Sequence, residues 1–225
     1  MKTAIILPTA FVTTTRGDDN SRLRISQYTE GFKQVVELDK KFPGCFDFFL
    51  TDSTLENPSI LDPKINNALN QIPNLTRCYF FDNEAGKKNK GAGLVIQWKK
   101  VLSIIGKQYK YVISFEPRQK LENFVFFERF VNNPGNYFRV ERVQAKKYRT
   151  FPFLLVQIMT GLIALERDML ESYVKKVSIK WMLFRRVSIE RDLYKFILNR
   201  GIPFKEVEYL NVIWHDSANN KLIRI

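Results

Sequence analysis

Short apolar runs alternate with longer amphipathic stretches through the first half of the chain. The runs 4–7, 46–50, 78–81 and 111–115 predict four buried strands. Between them, apolar residues spaced three or four positions apart predict helices, at 23–38, 65–72 and 94–105. Strand, loop and helix repeat in this order, which predicts an α/β fold with a central, mostly parallel sheet flanked by helices.

The second half is less regular. Apolar spacing predicts helices at 124–131, 166–174 and 189–198, and 154–165 has room for a strand and a turn. The segment 207–215 reads as a last strand and loop. Because there is no repeat and no linker-like stretch, we expect one domain spanning residues 1–225.

Composition is typical of an ordered protein that binds an anion. The 225 residues are 45% hydrophobic and 14% aromatic, enough for a full core in one α/β domain. The net charge of +13 favours nucleoside diphosphates, nucleic acid or an anionic membrane as partners, and charge alone does not choose among them.

The cysteines and the apolar runs indicate in which cellular compartment the protein is located. Cys45 and Cys78 lack metal-like spacing and read as buried thiols in a reducing environment. Pro8 interrupts the first apolar run, which therefore resembles a strand more than a signal peptide, and 151–165 is too short and polar to span a membrane. We expect a cytoplasmic protein, and peripheral contact with the inner face of a membrane stays open.

Polar residues stand directly after the predicted strands. Thr9, Asp52, Asp82 and Glu116 each follow one of the four apolar runs. The carboxyl ends of parallel strands meet at one edge of a sheet, where ligands of such folds bind. The sequence therefore predicts a ligand site at this edge.

Four stretches carry a resemblance to a known family. They are RISQY at 24–28 with the strand end LTDST at 50–54, NKGAG at 89–93, YVISFEPR at 111–118, and QIMTGLIAL at 157–165 with IERDL downstream. Their order resembles the GT-A glycosyltransferases and is similar to bacterial and viral transferases of surface polysaccharides such as capsule, O-antigen or lipooligosaccharide.

The resemblance implies a function and a set of donor contacts. It implies a Rossmann-like GT-A domain that transfers a hexose-type sugar from a nucleotide-diphosphate sugar donor to a glycan or lipid-linked glycan acceptor. It also implies that the nucleoside is held by the loop after the first strand and by the end of the second. Those positions are occupied here by Pro8, Thr9 and Asp52.

The sequence departs from this family at the metal-binding motif. A DxD motif is expected after the fourth strand, and Glu116, Pro117 and Arg118 stand there instead. No metal ligand is predicted, and a requirement for Mg²⁺ or Mn²⁺ stays open. Arg118 is suited to stabilise the departing diphosphate, since a guanidinium donates two parallel hydrogen bonds to phosphate oxygens. Alternatively, Arg118 forms an ion pair with Glu116.

Asn89, Lys90 and Gly91 open a predicted helix. Small residues at a helix N-terminus let the backbone approach a phosphate, and nearby lysines add positive charge. A glycine-rich helix start also occurs for packing reasons, and neither a Walker motif nor GxGxxG is present.

Three late residues are further candidates for the site. The resemblance places a catalytic carboxylate at the start of a late helix, where Glu190 and Asp192 stand, to deprotonate the acceptor hydroxyl. The alternative is a pair of acids that stabilise the helix N-terminus, with Ser188 as its cap. The resemblance also places a late histidine near the diphosphate, and His215 is the one histidine of the chain.

The segment 175–186 interleaves basic and large apolar residues. This composition is typical of a surface that docks on anionic lipid, and a solvated basic face is the alternative.

Two other functions compete with glycosyl transfer. A nucleic-acid-binding module would fit the charge, but no helix-turn-helix, zinc-finger or RNP-like motif is present, and we expect no nucleic-acid partner. Sugar nucleotidyltransferases have a related sheet, but they usually carry an early glycine-rich signature that ends in lysine. The first glycine here is Gly17.

Overall fold

The computed structural model describes residues 2–12, 18–144, 154–216 and 221–224. Its strands are β1 (Thr3–Thr9), β2 (Phe46–Asp52), β3 (Leu75–Tyr79), β4 (Tyr111–Phe115), β5 (Lys120–Leu121), β6 (Tyr137–Phe138), β7 (Val140–Gln144), β8 (Leu154–Ile158), β9 (Leu162–Glu166), β10 (Lys205–Glu206), β11 (Val212–Asp216) and β12 (Lys221–Arg224). Its helices are α1 (Asp18–Lys41), α2 (Pro63–Asn70), α3 (Glu84–Lys88), α4 (Lys90–Leu102), α5 (Val125–Asn132), α6 (Arg167–Lys176), α7 (Ile179–Arg185) and α8 (Ile189–Asn199), and a 3₁₀ turn covers Pro58–Ile60.

A seven-stranded sheet forms the centre of the fold, in the order β10-β6-β9-β4-β1-β2-β3. Strands β1, β2, β3 and β4 are parallel to one another, and β9 runs antiparallel to its neighbours β4 and β6. The predicted α/β fold with a mostly parallel sheet is therefore confirmed. Because the first four strands share a direction, their carboxyl ends lie at one edge, which we call the carboxyl edge.

Helices cover both faces of this sheet. One face packs against α1, α2 and α5 through residues such as Phe32, Leu69 and Phe127. The other face packs against α4, α6 and α8 through residues such as Trp98 and Leu193. Strands buried on both faces have no solvent-facing side, which explains why β1, β2 and β4 are continuous apolar runs in the sequence.

Some elements differ from the sequence prediction. Strand β3 covers 75–79 rather than the predicted 78–81. It is an edge strand, and its early residues Thr76 and Arg77 are polar and at least partly exposed, so they do not belong to an apolar run. The segment 154–165 holds two strands rather than one, and they join different partners: β8 pairs with β7, and β9 with β4. The two-residue strands β5, β6 and β10 are too short to give a periodic pattern.

A close contact fixes the turn after β4 to the first helix. Gly31 lies in α1, and a Cβ atom there would come within 1.6 Å of the carbonyl oxygen of Pro117. Only a residue without a side chain allows the helix and this turn to approach so closely. Helix α1 thereby supports the Glu116–Arg118 turn at the carboxyl edge.

None of the helices in the described ranges is both long enough and apolar enough to cross a lipid bilayer.

Candidate active site

Asp52 organises two loops at the carboxyl edge. Its carboxylate is fully buried, and one oxygen accepts hydrogen bonds from the Thr9 hydroxyl and the Phe11 amide, both at 2.9 Å. The other oxygen accepts from the Thr54 amide and hydroxyl at 2.7 Å and from the Leu55 amide at 3.0 Å. Asp52 therefore fixes the backbone of the loops that follow β1 and β2.

The other two residues predicted to hold the nucleoside are also buried. Pro8 and Thr9 are the last residues of β1, and the Thr9 hydroxyl lies 3.0 Å from the carbonyl oxygen of Thr51. With their side chains inside the protein, Pro8, Thr9 and Asp52 shape this edge through the backbone that they position.

Gln97 joins these loops to helix α4. Its Nε2 donates to the carbonyl oxygen of Thr9 at 2.9 Å and to the Ser53 hydroxyl at 3.2 Å, and the residue is 6% exposed. Gln97 was not among the site residues predicted from the sequence. The available signal was a polar residue among the apolar positions of the helix predicted at 94–105.

The turn after β4 contains a partly buried ion pair. The Nε of Arg118 lies 3.0 Å from Glu116 Oε1, and Arg118 Nη2 contacts the same oxygen. Gln119 Nε2 donates to the second carboxylate oxygen at 3.2 Å, and the Glu116 amide donates to the Gly161 carbonyl at 2.9 Å. The ion pair predicted as the alternative role of Arg118 is therefore present.

Burial and charge act in opposite directions on this pair. Burial raises the pKa of the Glu116 carboxyl, but the positive charge of Arg118 and the hydrogen bonds from Arg118 and Gln119 outweigh it and hold the pKa below its usual value. The charge of Glu116 in turn raises the pKa of Arg118, although burial opposes this effect. Both side chains are charged, and the side chain of Arg118 is 15% exposed.

Two further cations lie close to this pair. Arg24 in α1 donates to the carbonyl oxygen of Ala10 at 2.8 Å, and burial, together with the charge of Arg118, lowers its pKa. The positive charge of Lys90, at the start of α4, contributes to the lowered pKa of Glu116. We call Arg24, Lys90 and Arg118 the basic rim.

Arg24 belongs to the stretch at 24–28 that carries the family resemblance, but it was not among the residues predicted to form the site. Arg24 lies one helical turn before Tyr28, whose hydroxyl accepts a hydrogen bond from the Ala10 amide at 2.8 Å. The i, i+4 spacing of two polar groups on an otherwise apolar helix face was the signal that could have identified them.

Asn89 and Gly91 serve the packing of α4. The Asn89 Oδ1 accepts from the Ala92 amide at 3.2 Å and caps the helix, and its Nδ2 donates to the carbonyl oxygens of Met182 and Val187 at 3.3 and 3.0 Å. A Cβ at Gly91 would lie 2.9 Å from the Cβ of Ile189. Both residues hold the start of α4 against the α7–α8 connection and the first residue of α8. This is the packing role given above as the alternative to phosphate binding.

The two candidate catalytic carboxylates point to different partners. Glu190 Oε1 accepts from the Thr160 hydroxyl at 3.3 Å, and Thr160 precedes Gly161, the residue bonded to Glu116. Asp192 instead accepts from the Tyr173 hydroxyl of α6 at 3.1 Å. Glu190 therefore lies next to the Glu116–Arg118 turn, and Asp192 contacts α6.

Ser188 occupies the predicted N-cap position of α8 but does not cap the helix with its side chain. Its hydroxyl makes no capping hydrogen bond. The acids of the first helical turn are Glu190 and Asp192, which compensate the helix dipole at this end.

The residues described at this turn do not fit a divalent metal ion. Both oxygens of Glu116 are already engaged by Arg118 and Gln119, and a guanidinium occupies the place of a second carboxylate. Within the described ranges, no three histidine, cysteine, aspartate or glutamate residues come together in a possible metal site. His215 lies in β11, and its side chain is outside the described part of the structure.

Comparison with known proteins identifies the fold. No family model matches the chain, and comparison with curated proteins gives no match. Among solved structures, it is similar to the galactosyltransferase LgtC, determined with donor and acceptor sugar analogues, at 9% identity and a TM-score of 0.54, over 89% of this chain and 72% of that one. The fold is GT-A-like.

Two other structures share the GT-A-like fold. A mannosyltransferase from Pyrobaculum calidifontis, determined with GDP-Man and Mn²⁺, matches at 12% identity and a TM-score of 0.56, over 92% of this chain and 54% of that one. A 4-diphosphocytidyl-2C-methyl-D-erythritol synthase from Anaerococcus prevotii DSM 20548 matches at 14% identity and a TM-score of 0.56, over 97% and 92%. At these identities the likeness concerns the fold.

Asp52→Asn is expected to destabilise the protein. An amide retains one acceptor oxygen, so at least one buried donor of the two loops loses its partner, at a cost of about 1–3 kcal/mol. The melting temperature of the variant, measured against wild type, checks this expectation. Asp62→Asn is the matched control, because Asp62 caps α2 through a single bond to the Lys64 amide and asparagine caps equally well. Equal melting temperatures for the two variants would contradict the role assigned to Asp52.

Proposed function

We propose that this protein is a glycosyltransferase that moves a hexose-type sugar from a nucleotide-diphosphate sugar to a glycan or glycolipid acceptor, in the synthesis of a surface polysaccharide or related glycan. The observation that carries the proposal is the basic rim at the carboxyl edge of a GT-A-like sheet: Arg118 pairs with Glu116, Arg24 donates to the carbonyl oxygen of Ala10, and Lys90 begins α4. This edge is where ligands of open α/β sheets bind.

The charges of the rim favour a dianionic ligand. Burial and the charge of Arg118 lower the pKa of Arg24, and the charge of Glu116 offsets part of this effect. A diphosphate bound beside them would neutralise the remaining positive charge. Two guanidinium groups are suited to this task because they donate several hydrogen bonds to phosphate oxygens and stay charged.

The donor would extend across two neighbouring parts of the edge. The nucleoside would contact the loops that Asp52 and Gln97 fix after β1 and β2, and the diphosphate would lie at the basic rim. Arg24 connects the two parts, since it donates to Ala10 in the first loop and lies beside Arg118.

The proposed chemistry is a displacement at the anomeric carbon. Glu190 would accept the proton of the acceptor hydroxyl while the oxygen of that hydroxyl forms the new bond to the anomeric carbon. The bond between that carbon and the diphosphate oxygen breaks, and Arg118 would stabilise the charge that develops on the leaving group. A base on the acceptor side is what an inverting transfer requires.

We expect binding and transfer to occur without added metal. In EDTA, a nucleoside diphosphate of one preferred base should raise the melting temperature, because it binds the folded state alone, and its sugar conjugate should act as a donor. UDP, GDP, CMP and dTDP with their sugars form the screen, and released nucleotide is the readout of turnover. Transfer that requires Mn²⁺ would overturn the metal-free part.

Two further assays would give results that replace the proposal. Pyrophosphate release from a nucleoside triphosphate would identify a nucleotidyltransferase. The similarity in fold to the diphosphocytidyl synthase is the reason to test this alternative. Oligonucleotide binding that falls steeply with salt, with no nucleotide-specific thermal shift, would identify a nucleic-acid-binding module.

Arg118→Ala is expected to lower kcat/KM by about 10²- to 10³-fold, as loss of a group that stabilises leaving-group charge does. Steady-state kinetics with the donor found in the screen measures this. Arg142→Ala is the matched control, since Arg142, in the two-stranded sheet β7–β8, forms an exposed two-point ion pair with Glu206 at the β10 edge of the central sheet. An Arg118→Ala variant with wild-type kinetics and an unchanged melting temperature would remove Arg118 from the mechanism.

Glu190→Gln is expected to lower kcat by about 10²- to 10⁴-fold, as loss of a general base does, and to leave donor binding unchanged. Asp192→Asn tests the other candidate, and we expect the smaller effect there because Asp192 contacts Tyr173. A larger loss in Asp192→Asn would assign the base to Asp192 instead.

A further inference from the structure

Helix α7 exposes two large aromatic side chains. Trp181 is 53% exposed and Phe184 is 77% exposed, and their ring centroids lie 6.0 Å apart. The opposite side of the helix is held in the protein, where Met182 is buried. Exposed aromatic pairs of this kind leave apolar area in water, which is unfavourable unless another surface covers it.

Basic side chains surround these rings. Lys180, Arg185 and Arg186 are exposed, and the Arg185 guanidinium lies 5.1 Å from the centroid of the Trp181 ring. Lys175 and Lys176 precede the helix; both are exposed, and Lys175 is paired with Glu171 at 2.6 Å. The stretch 172–189 contains no aspartate or glutamate. We call Lys180, Trp181, Phe184, Arg185 and Arg186 the α7 surface.

The combination of aromatic rings and cations determines the chemistry of a partner. Indole and phenyl rings partition into the headgroup region of a bilayer, and lysine and arginine pair with lipid phosphates. A second copy of this chain would bring the same positive charges against one another, which disfavours association through this surface. We propose that the α7 surface docks the protein on an anionic lipid bilayer.

This surface lies close to the candidate active site. Asn89 Nδ2 donates to the carbonyl oxygens of Met182 in α7 and Val187 after it, and Asn89 caps α4 immediately before Lys90 of the basic rim. A protein docked through α7 would therefore hold the rim near the headgroups. If the proposed function is right, the acceptor is a lipid-linked glycan in the same bilayer.

Vesicle sedimentation tests the docking without any enzymatic activity. We expect wild-type protein to sediment with phosphatidylcholine vesicles that contain phosphatidylglycerol and to stay in the supernatant with phosphatidylcholine alone. Lys180→Gln with Arg185→Gln should weaken binding roughly ten- to thirtyfold, since each cation near an anionic surface contributes about a fivefold gain. Trp181→Ser with Phe184→Ser should weaken it to a similar degree.

Matched controls separate this surface from the rest of the protein. Tyr209→Ser removes an aromatic side chain that is 60% exposed elsewhere, and Lys64→Gln with Lys107→Gln removes two exposed charges. We expect both controls to bind vesicles as wild type does. Since the α7 variants change exposed residues outside the proposed site, they should retain the wild-type melting temperature and turnover of a soluble acceptor.

Several results would overturn the docking proposal. They are unchanged vesicle binding in the α7 variants, equal losses in the controls, or no vesicle binding by wild-type protein. A wild-type dimer that the Trp181→Ser, Phe184→Ser variant dissociates would assign the surface to a second copy, and oligonucleotide binding lost in the same variant would assign it to nucleic acid. Vesicle binding without any nucleotide binding would instead retain the docking surface and reject the proposed function.

Discussion

The Glu116–Arg118 ion pair depends on contacts from several elements that meet at one turn. Helix α1 approaches the turn at Gly31, which leaves room for the Pro117 carbonyl. The Glu116 amide bonds to Gly161, and Gln119 lies against that glycine while its amide donates to Glu116. A partly buried ion pair stabilises a protein only when its geometry is well defined, and these contacts define it. The turn therefore presents a fixed cation at the carboxyl edge.

That cation is paired with Glu116 in its own turn, and its neighbours Arg24 and Lys90 carry charge of the same sign. Arg24 and Lys90 come from α1 and α4, helices on opposite faces of the sheet, and both act on the Glu116–Arg118 pair. Folding thus brings cations together from distant parts of the chain. An excess of buried or half-buried positive charge is tolerated at a site whose ligand is anionic.

Most of the sheet could be predicted from the sequence, because strands covered on both faces are apolar runs that end in polar residues. The predicted run at 111–115 coincides with β4, and Glu116 and Arg118 follow it at the edge as expected. The edge strand β3 and the antiparallel strand β9 were harder to predict. Part of β3 is solvent-exposed, and the place of β9 in the sheet depends on pairing with distant segments. The single-domain organisation stays a prediction.

The site itself was only partly predictable, because the same residue type serves packing or chemistry according to its neighbours in space. Gly91 could have admitted a phosphate, but Ile189 lies against it. Asp52 was expected at the edge, yet its five hydrogen bonds to the two loops depend on where those loops come together. Arg24 is a helix residue like many others until the fold places it beside Arg118.

The net charge of +13 is concentrated in part at two places with different physical properties. Arg118 and Arg24 of the basic rim are partly buried, so salt screens them weakly, whereas Lys90 is exposed. The cations of the α7 surface are exposed and are screened within about a Debye length. Asn89 links the two through α4 and the α7–α8 connection. The proposed function and the proposed docking would therefore combine, in one chain, a site for a compact anion with a surface for an anionic bilayer.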